Sequence, residues 1–150
     1  MITSQQIKEL RDKTDVSVMA CKKALEEAGG DMEKALEVLR RESAKVAEKK
    51  SDRELGAGIV EAYIHGNRQM GAIVKLKSES DFVSKNEGFA TLAKDLAMHV
   101  AAANPENKET FLSQPYIKNP EITVSDYIKE HIQKFGENIE VVEFSRLSLF

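Results

Sequence analysis

Three histidines (His65, His99 and His131), one cysteine (Cys21) and a spread of serines are the side chains that could carry covalent or metal chemistry in this 150-residue chain. Their spacing does not arrange them for it. The histidines fall in a predicted turn and in two different predicted helices, with no His/Glu pair at metal-ligand spacing, and they read as surface or half-buried groups. No serine lies in a nucleophile elbow. Gly56-Ala-Gly58 is too short to cradle a phosphate and precedes a strand, not a helix. A lone cysteine excludes an internal disulfide and a cysteine zinc cage, and the small apolar neighbours of Cys21 at helical spacing suit a buried thiol. Covalent enzyme chemistry is therefore disfavoured, and neither cofactor nor metal is expected.

The chemistry that remains is recognition. The segment Lys75-Leu-Lys-Ser-Glu-Ser-Asp-Phe-Val-Ser-Lys-Asn-Glu87 leaves a predicted strand, presents Asp81 beside Phe82, and enters a helix. Two readings are open on these residues. Asp81 or Ser84 caps the helix, with Ser84-Lys-Asn-Glu87 as a capping box and Phe82 folded back onto the core. Alternatively, Phe82, flanked by Ser80, Asp81, Ser84, Lys85 and Asn86, enters a pocket on another protein.

Composition narrows the partners. A net charge of −3 argues against a broad nucleic-acid surface, which needs a basic face. No apolar run approaches the roughly 20 residues of a membrane span, and the N-terminus lacks a secretory pattern, so a cytoplasmic protein with no membrane role is expected. Lys22-Lys23 could touch an acidic protein surface. The Lys45 to Arg53 run reads as a solvated helix face balanced by nearby Glu.

The elements that must position these residues fall into two groups. Residues 1–52 read as three short helices and a linker. Thr3-Ser-Gln-Gln6 forms a capping box, Val18, Cys21, Leu25 and Ala28 recur at helical spacing, Gly29-Gly30 ends the second helix, and Asp31 caps the third. From Ala44 to Glu54 large apolar residues disappear, which predicts a fraying helix end passing into the linker. Residues 53–150 read as an α+β core of order β-β-α-α-β. Strands are expected at 59–64 and 70–76, joined by a hairpin turn at Gly66-Asn67. A helix built on Phe89, Leu92, Leu96 and Val100 follows and stops at Asn104-Pro105. Residues 106–122 are expected to be irregular because of Pro115 and Pro120. A helix over 125–135, ended by Gly136, leads to a last strand over 138–149, giving a three-stranded sheet covered by helices on one face.

Ser80-Asp81-Phe82-Val83 and Asn86 resemble the Thr-Asp-Phe-Val signature of the elongation factor Ts family, with Ser80 where Thr is usual. Leu10-Arg-Asp-Lys-Thr14 with Met19-Ala-Cys-Lys-Lys-Ala-Leu25 is similar to the family's N-terminal signature, although its glycine-containing turn is altered here to Asp15-Val16-Ser17-Val18. Gly136-Glu-Asn-Ile-Glu-Val-Val-Glu-Phe144 resembles its C-terminal strand entry. In family order, these blocks cover nearly the whole chain.

The resemblance implies a guanine nucleotide exchange factor that binds elongation factor Tu and releases its GDP. Phe82 would enter a pocket of the partner's nucleotide-binding domain, with Asp81 and Val83 beside it, acting near the magnesium site. The N-terminal module, ubiquitin-associated-like by the same resemblance, would touch the partner through Val18, Met19, Lys22 and Lys23. An adaptor that grips another protein through that module, without exchange activity, is the rival expectation. Longer members of the family carry two related core halves, so the single half here implies a noncovalent homodimer with Val141, Val142, Phe144, Leu147 and Leu149 at or near the contact. Unpaired sheet edges and a half-covered apolar face favour the same association.

Overall fold

Thr3 begins the first helix by a reciprocal pair of hydrogen bonds: its hydroxyl accepts from the Gln6 N–H at 3.2 Å, and the Gln6 side chain accepts from the Thr3 N–H at 2.9 Å. This is the predicted capping box. The computed structural model describes every residue from Met1 to Phe150. It places α1 at Ser4–Thr14, α2 at Val18–Glu27 and α3 at Met32–Lys50. Gly29 and Gly30 turn the chain after α2 with φ of +65° and +87°, values that cost a side chain dearly. Asp31 caps α3 by accepting from the Lys34 N–H at 3.2 Å. Leu10, Cys21, Leu25, Ala35 and Leu39 meet in a core of 8 buried residues.

A second core of 20 buried residues begins before the expected boundary. The end of α3 does not fray. Ala47 is buried in this second core and Val46 packs against it, so small apolar side chains secure a stretch whose Lys/Glu content suggested a linker. After it come β1 (Ala57–Ile64), β2 (Met70–Ser78), a single turn α4 (Asp81–Ser84) and α5 (Glu87–Ala103). Then follow α6 (Lys108–Ser113), β3 (Pro115–Tyr116), β4 (Asn119–Thr123), α7 (Val124–Phe135) and β5 (Ile139–Ser148). β1, β2 and β5 form an antiparallel sheet with β2 in the middle. Phe89, Leu92, Leu96 and Val100 of α5 cover its inner face, so the architecture is α+β.

The region expected to be irregular is ordered. Asn107 caps α6 through the Thr110 N–H at 2.8 Å, and β3 and β4 form a small separate ladder whose short strands tolerate Pro115 and Pro120. His99, expected near the surface, lies fully buried beneath it. Its Nδ1 accepts from the Ile117 N–H at 3.2 Å, so its Nε2–H donates to Gln114 at 2.9 Å. The ring is neutral, and burial holds its pKa below the usual value. The β1–β2 connection also differs from expectation. Arg68, not Asn67, takes positive φ, and its N–H bonds the His65 carbonyl at 2.8 Å.

The register of β5 sets which side chains are free. Lys75 pairs with Glu143 and Leu76 with Val141, leaving Val142 as the extra residue of a bulge. Before the bulge Ile139 and Val141 face the core; after it Phe144 and Arg146 do, and Leu147 and Leu149 face out. Arg146 on the inner face donates from Nε to the Ala101 carbonyl at 2.8 Å, neutralising the end of α5.

The two cores are joined where α3 and α1 meet α7. The Ser43 hydroxyl donates to Gln133, and Lys134 pairs with Asp15 at 2.5 Å. Asp15 ends α1 at φ 57°, and Lys134 holds its carboxyl below the usual carboxylate range. Glu130 lies in a cavity of about 310 Å3 at this junction with Arg40, Leu39, Val16 and Ile122. Burial first, and Asp126 second, push its pKa up to about 7 against the pull of Arg40.

Candidate partner-binding turn

The sheet pairing of β2 ends at Ser78, opposite Ile139, and the chain turns at once into α4. Ser80 is the cap. Its backbone is extended, its Oγ accepts from the Val83 N–H at 3.4 Å, and its carbonyl accepts from the Ser84 N–H at 3.2 Å. The buried Ser78 hydroxyl donates to that carbonyl as well, at 3.0 Å. Asn86, not Ser84, then caps α5 by accepting from the Gly88 N–H at 2.7 Å. The predicted Ser84–Glu87 box does not form, because the Ser84 hydroxyl is turned back to the Asp81 carbonyl at 3.3 Å.

One helical turn and its cap sort five side chains. Val83 and Ser84 face inward, and Val83 belongs to the larger core. Asp81, Phe82 and Lys85 face solvent, Phe82 with 87% of its surface exposed. Of the two readings left open by the sequence, the fold-back onto the core is not what the chain adopts. Val83 is the anchor of the turn, and its side chain is unavailable to a partner. Neither Asp81 nor Lys85 forms an ion pair. The turn thus offers an apolar ring between an unpaired anion and an unpaired cation.

Behind the turn lies a support that sequence reasoning missed. Glu137, in the α7–β5 connection, accepts from the Glu79 N–H at 3.1 Å, the Ser80 N–H at 3.0 Å and the Ser80 hydroxyl at 2.5 Å. Glu79 in return accepts from the Asn138 N–H at 2.6 Å and lies 3.6 Å from Arg53. No local pattern could reveal partners so far apart in the chain.

The second predicted contact lies at the start of α2. Ser17 caps it through the Ala20 N–H at 3.2 Å. Val18 and Met19 are exposed, Met19 at 78%, and Lys22 and Lys23 are exposed one turn on. Beneath them Cys21 is fully buried. Burial raises its thiol pKa, which makes it a packing residue and not a nucleophile.

The outer face of the sheet holds a third surface. Ile64, Ile73, Leu147 and Leu149 line a shallow groove of about 550 Å3. Of the five residues expected at a dimer contact, Val142, Leu147 and Leu149 are exposed, whereas Val141 is buried in the chain's own core and Phe144 packs against it. The bulge puts Val141 on the face opposite Leu147 and Leu149, whereas Phe144 is inward by simple alternation with Leu147. No group of His, Cys, Asp and Glu is placed to hold a metal ion, and no helix is long and apolar enough to cross a membrane.

Comparison with known proteins places the chain in a family. The family model described as Elongation factor TS matches residues 3–108 and 79–149, two stretches that together span nearly the whole chain and overlap across α4 and α5. A protein named Elongation factor Ts from Carboxydothermus hydrogenoformans is 41% identical, over 99% of this chain and 89% of its own. Relatives of the same name from Acetivibrio thermocellus and Thermodesulfovibrio yellowstonii are each 38% identical, the first over 97% of this chain and 89% of its own, the second over 99% and 96%. The first alignment runs over 194 positions against 150 residues here, so that relative carries positions with no counterpart in this chain. Family match, identity and coverage agree, and the chain belongs to the elongation factor Ts family of translation elongation factors.

Proposed function

We propose that this chain promotes release of GDP from elongation factor Tu in the cytoplasm, by binding rather than by covalent chemistry. The observation that carries the proposal is the exposure of Phe82 at the tip of a turn whose backbone is fixed from behind. Phe82 enters an apolar pocket of the partner's nucleotide-binding domain, and Asp81 sets its entry and competes with groups near the nucleotide's magnesium ion. Val18, Met19, Lys22 and Lys23 hold the same partner through the first module. Affinities are linked: a factor that weakens GDP binding is itself bound more weakly by the same ratio when GDP is present, so the ternary complex is short-lived. Each tenfold gain in release rate requires about 1.4 kcal/mol of barrier lowering. One buried aromatic anchor supplies about 2 kcal/mol or more, which accounts for a tenfold effect from Phe82 and leaves the remainder to other contacts. The test is release of labelled GDP from purified elongation factor Tu with and without the chain. Unchanged release with the folded protein defeats the proposal and favours an adaptor that uses only the first module.

The same reading includes a second copy of the chain. Ile64, Ile73, Leu147 and Leu149 form an apolar patch on a sheet face with no covering helix, and a two-fold axis lets such a patch cover itself. Lys75 and Glu143, paired at 3.1 Å across the other end of that face, limit the patch. Light scattering after size exclusion is expected to give a two-chain mass that Leu147→Glu reduces to one. A one-chain mass that is unchanged on concentrating removes the dimer.

A further inference from the structure

We infer that Glu137 is a positioning residue for Phe82, and that with Glu79 it forms a reciprocal clamp that aims the Asp81-Phe82 turn before any partner arrives. The inference rests on the exchange reading above and assigns a role to residues outside the turn. Ser78 and Ile139 are the last paired residues of β2 and β5, so the N–H groups of Glu79, Ser80 and Asn138 have no strand partner. Each strand supplies one with a side chain. Glu137, before β5, takes the Glu79 and Ser80 N–H groups at 3.1 and 3.0 Å, and Glu79, after β2, takes the Asn138 N–H at 2.6 Å. Asn138, itself buried, donates from Nδ2 to the Arg53 carbonyl at 3.3 Å, and Arg53 lies 3.6 Å from Glu79, which closes the ring.

The clamp acts on the residue that matters. Phe82 is 87% exposed and has no packing of its own to fix it. Its direction is therefore inherited from the backbone of Ser80 and Asp81. Glu137 holds Ser80 twice, at its N–H and, through the other carboxylate oxygen, at its hydroxyl, 2.5 Å away. That hydroxyl is also the cap that accepts the Val83 N–H. A carboxylate in the α7–β5 connection thus sets the phase of the helical turn that points Phe82 outward. A loop ordered in advance spares the ordering cost at the encounter, so its loss appears in the rate of productive insertion.

The experiment is a double-mutant cycle on GDP release from elongation factor Tu, using the full chain. Glu137→Ala is expected to lower the saturating release rate about fivefold, with half-saturation changed less than twofold and an unaltered circular dichroism spectrum. Glu137→Gln, which keeps an acceptor for the backbone N–H groups, is expected to restore most of the rate. In a Phe82→Ala background Glu137→Ala is expected to add less than a twofold loss. A full fivefold loss in that background, or no loss in the native background, overturns the inference. Amide hydrogen exchange in the free protein supplies a readout independent of the partner. Protection at Glu79, Ser80 and Val83 is expected to fall about tenfold or more in Glu137→Ala and to persist in Glu137→Gln; unchanged protection in the alanine variant overturns the clamp. If Phe82→Ala releases GDP as fast as the native chain, it is the exchange reading that fails, and amide exchange alone then decides the clamp. Should Glu137→Ala fail to fold, Glu79→Ala, which removes the acceptor of the Asn138 N–H, carries the same cycle, and an undiminished loss in the Phe82→Ala background is the overturning result.

Discussion

Phe82 and Met19 are both large apolar side chains left in solvent near the start of a helix, 87% and 78% exposed, yet the chain holds them by different means. The turn that carries Phe82 is fastened from behind by Ser78, Ser80, Glu79 and Glu137, and from below by the buried Val83. Met19 is held by one cap, Ser17, and by the plug of Cys21 and Val16 in a core of 8 residues. Rigid backbone under an aromatic ring suits insertion into one defined pocket. A flexible thioether beside Val18 and two lysines suits a surface grip that can adjust. The contrast divides the proposed work: the first tip loosens the nucleotide, and the second keeps the factor in place while that happens.

The strongest test of this division is Phe82→Ala. Release of labelled GDP is expected to slow at least about tenfold at saturating factor, on the scale of one aromatic hot spot. Thermal stability is expected to change little, because the ring buries almost nothing in the free protein. A large loss of stability with unchanged release would reverse the assignment of insertion to this tip.

The junction between the modules decides how independently the two tips work, and Glu130 reports on it. An acid whose folded pKa is raised, here from 4.5 to about 7, favours the folded state below its unfolded value, and that advantage is lost as pH rises through about 7. Glu130→Gln is accordingly expected to be more stable than the native chain at pH 8, by about 1–2 kcal/mol after allowance for partial exposure, and to lose that advantage by pH 4. The buried His99 and the half-buried His131 act with the opposite sign. Their lowered pKa values destabilise the fold as pH falls below 6.5 in both proteins, so the comparison must be a difference between variants at each pH. Equal stability across pH 4–8 would remove Glu130 from the junction's energetics.

Met19→Ala sharpens the contrast from the other side. The half-saturating concentration of the factor is expected to rise about threefold, the scale of a rim contact worth less than 1 kcal/mol, with the saturating release rate unchanged. A fall in the saturating rate instead would make the second tip part of the insertion step.

What could be read from the sequence divides along similar lines. Signals that act within one turn of the chain were legible: the Thr3 box, the Asp31 cap, the glycine pair after α2, the left-handed Gly136 and the apolar face of α5. Signals set by a distant partner were not. The bulge at Val142 accompanies the pairing with β2, and it puts Val141 on the inner face, opposite Leu147 and Leu149. His99 is neutral and buried because Gln114 and Ile117 fold over it. The apparent linker is helix because α7 gives Ala47 and Val46 something to pack on. At the site, Asp81-Phe82 stood out for its residue types, while Glu79 and Glu137, which hold the turn, carry no local signal of that role.

The smallest expected effect comes from Asp15, where this chain departs from the glycine-containing turn its N-terminal block resembles. Asp15 occupies the left-handed region at φ 57°, which aspartate tolerates better than most side chains, and its carboxylate reaches Lys134 of α7 at 2.5 Å. The position thus gives up some backbone ease and gains a tie between the first module and the core. Asp15 is largely exposed and Lys134 partly so, and the tie is worth a few tenths of a kcal/mol at low salt. Asp15→Asn keeps the left-handed preference and removes the charge. It is expected to lower stability by about 0.3 kcal/mol at pH 7, with the difference vanishing in roughly 0.5 M salt, where the screening length is only a few ångströms. The sign with pH follows from the lowered carboxyl pKa: the contribution is present above the ordinary value of 3.8 and is lost as pH falls through the folded value, so variant and native chains converge in acid. Hydrogen exchange across α2 adds the link to function. If protection at Ala20 and Cys21 falls in the variant while that at Val83 is untouched, the Met19 tip depends on the junction and the Phe82 tip does not. Equal loss at both sites would mean that the two tips are mounted on one rigid body and that the proposed division between grip and insertion has no structural basis.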